Sequence, residues 1–159
     1  MFNKKIESLM ANLFNDDFRD FLIALYKYDV DYLLVGGYTV ILYGYPRTTG
    51  DLDIWLKNSN ANRLKLINAC REFGLYLNDL TKEKFEDPEI EVFTFGRPPI
   101  SIELLIRIKG IEFDDASKNH VILQPDGFPI RVVSFPDLVK MKKNAGRPKD
   151  LDDLNNISL

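Results

Sequence analysis

The 159-residue chain has one cysteine, one histidine, no long apolar run and little charge imbalance. Each shortage excludes something. A lone Cys70 rules out an internal disulfide. One Cys and one His cannot supply the usual nitrogen and sulfur ligands of zinc, so any metal site must be built from oxygens, which favours magnesium or manganese. A Ser–His–Asp or Cys–His hydrolase would have to depend on His120, which follows Asn119 just before the strand-like Val121-Ile122-Leu123 and reads as a turn or surface residue. With neither a signal peptide nor an apolar span in view, no membrane partner is expected and the expected location is cytoplasmic. A net charge of −3 gives no support to wholesale nucleic-acid binding, although a local basic face is compatible with it.

The hydrophobic fraction of 45% over this length is enough for one proper core, so a single domain spanning residues 1–159 is expected. Residues 1–30 form its N-terminal helical segment and 134–159 its C-terminal one. Phe18, Phe21, Leu22 and Leu25 recur at helical spacing over 16–28, with Asn15 or Asp16 as N-cap. Tyr32 to Val35 read as a buried strand, Tyr38 to Tyr43 as a short helix closed by Gly44, and Asp51 to Leu56 as a second strand. A helix from Asn60 to Phe73 turns Leu64, Ile67, Ala69 and Cys70 inward and stops at Gly74. After a polar connection come strands over Ile90–Phe95 and Ile100–Ile108, separated by Gly96-Arg97-Pro98-Pro99. Val121–Leu123 and Ile130–Val133 flank Pro125-Asp126-Gly127. Ser134 caps a helix carrying Leu138, Met141 and Ala145 inward, and 147–154 is a turn leading into a terminal helix. The order predicts a small mixed α/β (α+β) domain, a mixed β-sheet flanked by helices.

The chemistry is concentrated in one block. Leu33-Leu34-Val35 runs into Gly36-Gly37, and thirteen residues later comes Asp51-Leu52-Asp53. A strand ending in two glycines lets backbone approach something bulky and anionic. Carboxylates at i and i+2 of a strand project to one side, where a divalent cation relieves their repulsion. An acidic strand end that meets solvent or caps a helix is the plainer reading, but the flanking Leu52, Ile54 and Trp55 make unpaired acids costly there. A third acid, Glu103, stands inside the apolar run Ile100-Ser101-Ile102-Glu103-Leu104-Leu105-Ile106. Alternation puts it on the face of Ser101 and Leu105. Either it faces water from an edge strand, or its strand pairs beside Asp51-Leu52-Asp53 and it completes a three-carboxylate site.

An apolar residue followed by Gly-Gly, then about a dozen residues, then Asp-x-Asp, then a distant apolar-acid-apolar triplet resembles the DNA polymerase β-like nucleotidyltransferase superfamily. Tyr45-Pro46-Arg47-Thr48-Thr49-Gly50-Asp51 is similar to the Arg-x-Thr-x-Asp-x-Asp variant of its small stand-alone members. The stretch from Asp137 to Asp150, with Ala145-Gly146-Arg147-Pro148-Lys149-Asp150, looks like the segment that closes their domain. These members include toxins of abortive-infection systems and lincosamide and aminoglycoside adenylyltransferases. The resemblance spans Leu33 to Leu154. It implies the nucleotidyltransferase fold, a nucleoside triphosphate as substrate, and magnesium or manganese held by Asp51, Asp53 and Glu103. It maps Gly36 and Gly37 to the phosphate cradle. An acceptor hydroxyl would attack the α-phosphate and release pyrophosphate. The third acid of the superfamily is more often Asp, so Glu103 departs from the pattern.

Against that background the cations near the block gain meaning, because a triphosphate needs positive partners. Arg47, Lys142 and Arg147 are candidate triphosphate contacts, with Thr49 beside the acids. For Arg47 and Lys142 a structural ion pair is an equal alternative. Lys140, Lys143 and Lys149 read as solvated, and Asp150 as a partner of Arg147 or a helix cap. Tyr38, next to Gly37, either stacks on a base or packs in the core. The acceptor is open among an RNA 3′ end, a partner protein and a small molecule. A toxin–antitoxin partner and a homodimer mate completing the acceptor pocket are compatible with so small a chain. The competing reading is a nucleotide-binding or regulatory module of the same fold that has lost turnover.

Overall fold

The computed structural model describes residues 14–75, 77–97, 100–124 and 128–157. The first part of the expected N-terminal segment, residues 98–99 of one expected turn and 125–127 of the other lie outside the described residues. Helix α1 (Asp16–Lys27) leads to strand β1 (Tyr32–Val35), helix α2 (Gly37–Leu42) and strand β2 (Asp51–Leu56). Helices α3 (Asn60–Phe73) and α4 (Lys82–Glu86) follow, then strands β3 (Val92–Arg97) and β4 (Ile100–Leu105). Helix α5 (Phe113–Ser117), strands β5 (Val121–Leu123) and β6 (Ile130–Val132), and helices α6 (Phe135–Ala145) and α7 (Pro148–Asn156) complete the described chain. The six strands form one mixed sheet in the order β3-β4-β2-β1-β6-β5. The pair β2–β4 is parallel and β1–β2 antiparallel. An α+β domain with a mixed sheet is what the patterning predicted.

Strand alternation divides the apolar residues between two faces. Leu52, Ile54 and Leu56 of β2, with Tyr32 and Leu34 of β1 and Ile102 and Leu104 of β4, pack with Phe18, Phe21 and Leu22 of α1 and Leu66 and Cys70 of α3. Leu33, Val35 and Trp55 join Val133 and Leu138 of the α6 region in a smaller cluster on the other face. Each fully buried large side chain contributes about 1.5–3 kcal/mol, so the larger cluster is the main anchor. Asp51 and Asp53 share the face of Trp55, and therefore look toward the smaller cluster and the C-terminal helices.

The helix ends follow their caps. Asn15 accepts from the Phe18 amide at 2.8 Å, Ser59 from Asn62 at 3.1 Å and Ser134 from Asp137 at 3.3 Å. Asn62 is itself buried. Its amide nitrogen donates to the carbonyls of Asp31 and Lys57, both at 2.9 Å, and its Oδ1 accepts from Asp31 N at 2.8 Å. That one side chain ties the entry of β1 to the exit of β2.

Some expectations on packing are corrected. Leu64, expected to face inward from α3, is half exposed, and Leu66 and Asn62 take the inner positions. On α6 Leu138 is buried and Met141 packs half-buried against the smaller cluster as expected, whereas Ala145 is exposed and Lys142 takes a buried position. The polar connection after Gly74 contains α4, which Thr81 caps and buried Phe85 anchors. Strand β3 starts two residues later than predicted, and β4 ends at Leu105 rather than Ile108. Cys70 is a buried packing residue, as its helical face implied.

Candidate active site

Register brings the acids together. On β1 and β2, Val35 stands opposite Asp53, so the acid lies beside the point where the chain leaves the sheet at Gly36. On the parallel partner β4, Ser101 pairs with Asp51 and Glu103 with Asp53. The alternative of Glu103 on an edge strand is thereby excluded, because β4 lies between β3 and β2.

Gly36 has φ +75°, and a Cβ there would lie 1.9 Å from Asp53 Oδ2. Only glycine satisfies both the left-handed backbone and this contact. A Cβ on Gly37 would meet Thr49 Oγ1 at 2.7 Å and Arg47 Nη2 at 3.1 Å. The glycine pair therefore packs directly against the acid of β2 and the polar residues that precede it.

Asp53 is strained electrostatically. Burial, then a hydrogen bond with Glu103, then the charges of Glu103 and Asp51 push its carboxyl up to about 7, while Lys142 pulls the other way. Its Oδ1 is buried and has no hydrogen-bond partner. Asp51 is treated differently, since Ser101 Oγ donates to its Oδ1 at 2.6 Å. Asp53 and Glu103 thus adjoin, while Asp51 is turned to Ser101. Among the described residues, no three His, Cys, Asp or Glu side chains close as a finished metal cluster. Of the three acids expected to form one site, Asp53 and Glu103 are an adjacent pair and Asp51 shares their strand face.

Above the acids lies a layer of cations held by α7. Lys142 Nζ is 2.9 Å from Asp153 Oδ2 and 3.1 Å from Asp150 Oδ1, and all three residues are buried. Arg47 reaches the same Asp153, with Nη2 donating to Oδ2 at 3.2 Å and Nε 2.9 Å from Oδ1. The second approach is too poorly aligned for a hydrogen bond, which leaves Arg47 Nε and Asp153 Oδ1 as a contact of charge alone. Arg147 donates through Nε to Asp150 Oδ2 at 2.7 Å, and its side chain is otherwise 70% exposed. Burial raises the Asp150 carboxyl, but the hydrogen bonds from Arg147 and Lys142 outweigh it and hold the group below its ordinary value. The predicted pairing of Asp150 with Arg147 is present, as are the exposed positions of Lys140, Lys143 and Lys149.

Asp53, Glu103, Gly36, Lys142 and Arg147 border one cavity of about 210 Å³. Asp51, Gly37, Arg47 and Thr49 lie behind it rather than on its wall. Tyr38 is a core residue. Its ring is 4.8 Å from that of Phe14 and 5.9 Å from that of Phe18, which removes it from base stacking in this arrangement. A larger groove of about 690 Å³ around Trp55, Asn58 and Arg107 is lined by none of the candidate acids, glycines or cations. His120 contacts the Ser117 carbonyl across a turn.

Compared with protein-family models and with curated proteins, the chain matches none of either.

Three residues of the site escaped the sequence reading. Ser101 binds Asp51, Asp153 bridges Arg47 and Lys142, and Asp152 accepts from Tyr45 Oη at 2.9 Å. The signal for Asp153 was present: Asp150 and Asp153 stand at i and i+3 of one helix and therefore share a face. Alternation put Ser101 on the face of Glu103, but nothing local linked it to Asp51. Among the described residues no helix is long and apolar enough to cross a membrane.

Proposed function

We propose that the protein is a magnesium- or manganese-dependent nucleotidyltransferase that moves a nucleoside monophosphate from a triphosphate to a hydroxyl acceptor, working in the cytoplasm. The observation that carries this reading is the register pairing of Asp53 with Glu103 beside the Gly36 turn. Two adjacent carboxylates are costly without a counter-charge, and the partnerless Asp53 Oδ1 is a buried acceptor with no donor. An all-oxygen donor set of this kind fits a hard divalent cation. Asp53 and Glu103 would hold the ion, with Asp51 joining from the Ser101 side. When bound, such a metal supplies charge stabilisation to a transferring phosphoryl group.

The chain's own residues supply position. Gly36 borders the cavity without a side chain next to Asp53, so phosphate can approach its backbone, and Gly37 lets Thr49 and Arg47 pack close behind it. Lys142 and Arg147 border the cavity as cationic partners, and Arg47 stands behind Gly37. Phosphoryl transfer needs little covalent participation from a protein, so orientation and charge are the expected contributions.

A second reading, a nucleotide-holding or regulatory module without turnover, has one observation in its favour. The buried Lys142 and the partly buried Arg47 are already neutralised by Asp150 and Asp153. Partnership with an antitoxin-like protein or a homodimer mate belongs to either reading. Calorimetric titration of magnesium-ATP into wild type and into Asp51→Ala/Asp53→Ala tests the metal site, and equal affinity would sink it. Incubating the protein and labelled ATP, CTP, GTP or UTP with cell extract separates the two readings. Label on any acceptor selects the enzyme, whereas binding without transfer selects the module.

A further inference from the structure

Helix α7 is mounted with its acids inward. Asp150 and Asp153 are its fully buried residues, with Ile157 buried at its C-cap, while Leu154 packs half-buried against the smaller cluster and Leu151 is half exposed on the outside. An amphipathic helix held only by the hydrophobic effect would turn its leucines in. Burying two carboxylates is expensive, and well-packed apolar side chains of similar volume would often serve stability as well or better. The inward acids therefore call for a role other than anchorage, and their partners indicate which. Asp153 is fully buried and touches two cations that reach it from different elements, Arg47 ahead of β2 and Lys142 on α6. One of these stands against Gly37 and the other lines the cavity with Asp53 and Glu103.

We infer that Asp153 is a positioning residue: held by Arg47 from beside Gly37, it fixes Lys142 on the cavity wall, where Lys142 receives the phosphates of a nucleoside triphosphate. This rests on the nucleotidyl-transfer reading. Without the shared carboxylate, two long cationic side chains would turn to water or collapse onto Asp53 and Glu103. The geometry they need for phosphate would then have to be organised during binding, at a loss of affinity.

The inference predicts a sign opposite to that of simple electrostatics. Asp153 is a negative charge near a site for a polyanion, so Coulomb's law alone says that removing it tightens ATP binding. Positioning says that removal weakens it. The weakening must grow with the number of phosphates and must spare the metal, which Asp153 does not touch.

The test uses the full chain with Asp153→Asn, which keeps the shape and removes the charge. Manganese binding is read by electron paramagnetic resonance, and ATP, ADP and AMP binding by calorimetry in magnesium. The expected result is manganese affinity within about twofold of wild type, ATP affinity down about tenfold or more, and AMP nearly unchanged. Unchanged or tighter ATP binding in the folded variant overturns the inference. So does an equal loss of manganese, ATP and AMP, which marks a general structural role. Should Asp153→Asn fail to fold, Asp153→Glu retains the charge and displaces it by one methylene. The same phosphate-graded loss is then expected, and its absence counts against positioning. Failure of wild type itself to bind magnesium-ATP is a separate result. It removes the nucleotidyl-transfer reading, and this inference with it.

Discussion

Asp53 and Glu103 stand opposite each other on adjacent parallel strands, and burial together with the neighbouring Glu103 pushes the Asp53 carboxyl up to about 7. Neither strand alone creates this relationship. It follows from β4 lying parallel to β2 with Glu103 in register with Asp53, next to the turn at Gly36. Its energetic consequence is that the folded protein binds a proton here more tightly than the unfolded chain does.

The first prediction concerns pH in metal-chelating buffer. A carboxyl whose folded value is raised contributes stability that is fully present below its unfolded value, near 3.8, and is lost as pH rises through about 7. Each pH unit across that window costs about 1.4 kcal/mol from such a group at most. Wild type should therefore melt at a lower temperature at pH 8 than at pH 5.5 in EDTA. Asp53→Asn should flatten that decline and be the more stable protein at pH 8. Parallel pH profiles for the two proteins would count against the strained pair.

Divalent metal should reverse the same penalty. Anything that binds the folded state alone stabilises it, by about 2.7 kcal/mol when present at one hundred times its dissociation constant. Magnesium or manganese at pH 8 is expected to raise the melting temperature of wild type by several degrees. Asp53→Asn and Glu103→Gln should each abolish most of that gain. Calorimetric melting with and without metal provides the measurement, and a full response in Glu103→Gln would remove that residue from the ligand set.

Gly36 and Gly74 provide a matched pair of backbone tests. Both have positive φ, +75° and +94°, so alanine is strained at either. At Gly74 nothing lies within 4 Å of an added Cβ, and the cost of Gly74→Ala should be limited to strain, about 1–2 kcal/mol. At Gly36 the Cβ would fall 1.9 Å from Asp53 Oδ2, so Gly36→Ala must also move the acid. Urea denaturation should show the larger loss for Gly36→Ala, and only that variant should lose the metal-induced shift in melting temperature. A metal response retained in Gly36→Ala would show that the glycine and the acid are not coupled.

Much of this arrangement was legible from local pattern. The bounds of β1, β2, α3 and β5 agree with apolar runs closed by glycine or begun by a cap, because those signals act within a few residues. The side of β2 that carries Asp51 and Asp53 followed from alternation alone. The pairing of β2 with β4 did not, since nothing local selects which strand becomes a neighbour; Glu103 was left between solvent and site until the register placed it. Helix α4 was hidden because five residues carry too little periodicity to stand out from a polar connection. The ion pair that was one of two readings for Lys142 is present, but its burial and the part of Asp153 in it were not legible, for a deeper reason. Charged residues are ordinarily assigned to the surface, and their burial depends on finding one another across α6, α7 and the segment before β2.

Asn62 provides a prediction about the fold rather than the site. Its side chain makes three hydrogen bonds to backbone of Asp31 and Lys57 in a buried position. Asn62→Ala strands those groups, and each unsatisfied buried polar group costs about 1–3 kcal/mol. A total loss of about 3 kcal/mol or more is expected from urea denaturation, with α3 otherwise a better helix former by propensity. A loss below 1 kcal/mol would mean that water replaces the amide.

The last prediction separates buried from exposed lysines on one helix. Lys142 and Lys143 are neighbours on α6, yet Lys142 is buried between Asp150 and Asp153 while Lys143 faces solvent. Lys142→Met removes one cation and leaves two buried carboxylates with fewer partners. Breaking a buried pair in this way typically costs about 3–5 kcal/mol. The cost here should fall at the lower end, because Arg47 still reaches Asp153 and Arg147 still reaches Asp150. Lys143→Met should change stability by no more than about 0.5 kcal/mol, as expected of an exposed position. The measurement is the urea midpoint of each variant at pH 7. Equal losses in Lys142→Met and Lys143→Met would mean that the buried charge contacts do not stabilise the packing of α6 against α7.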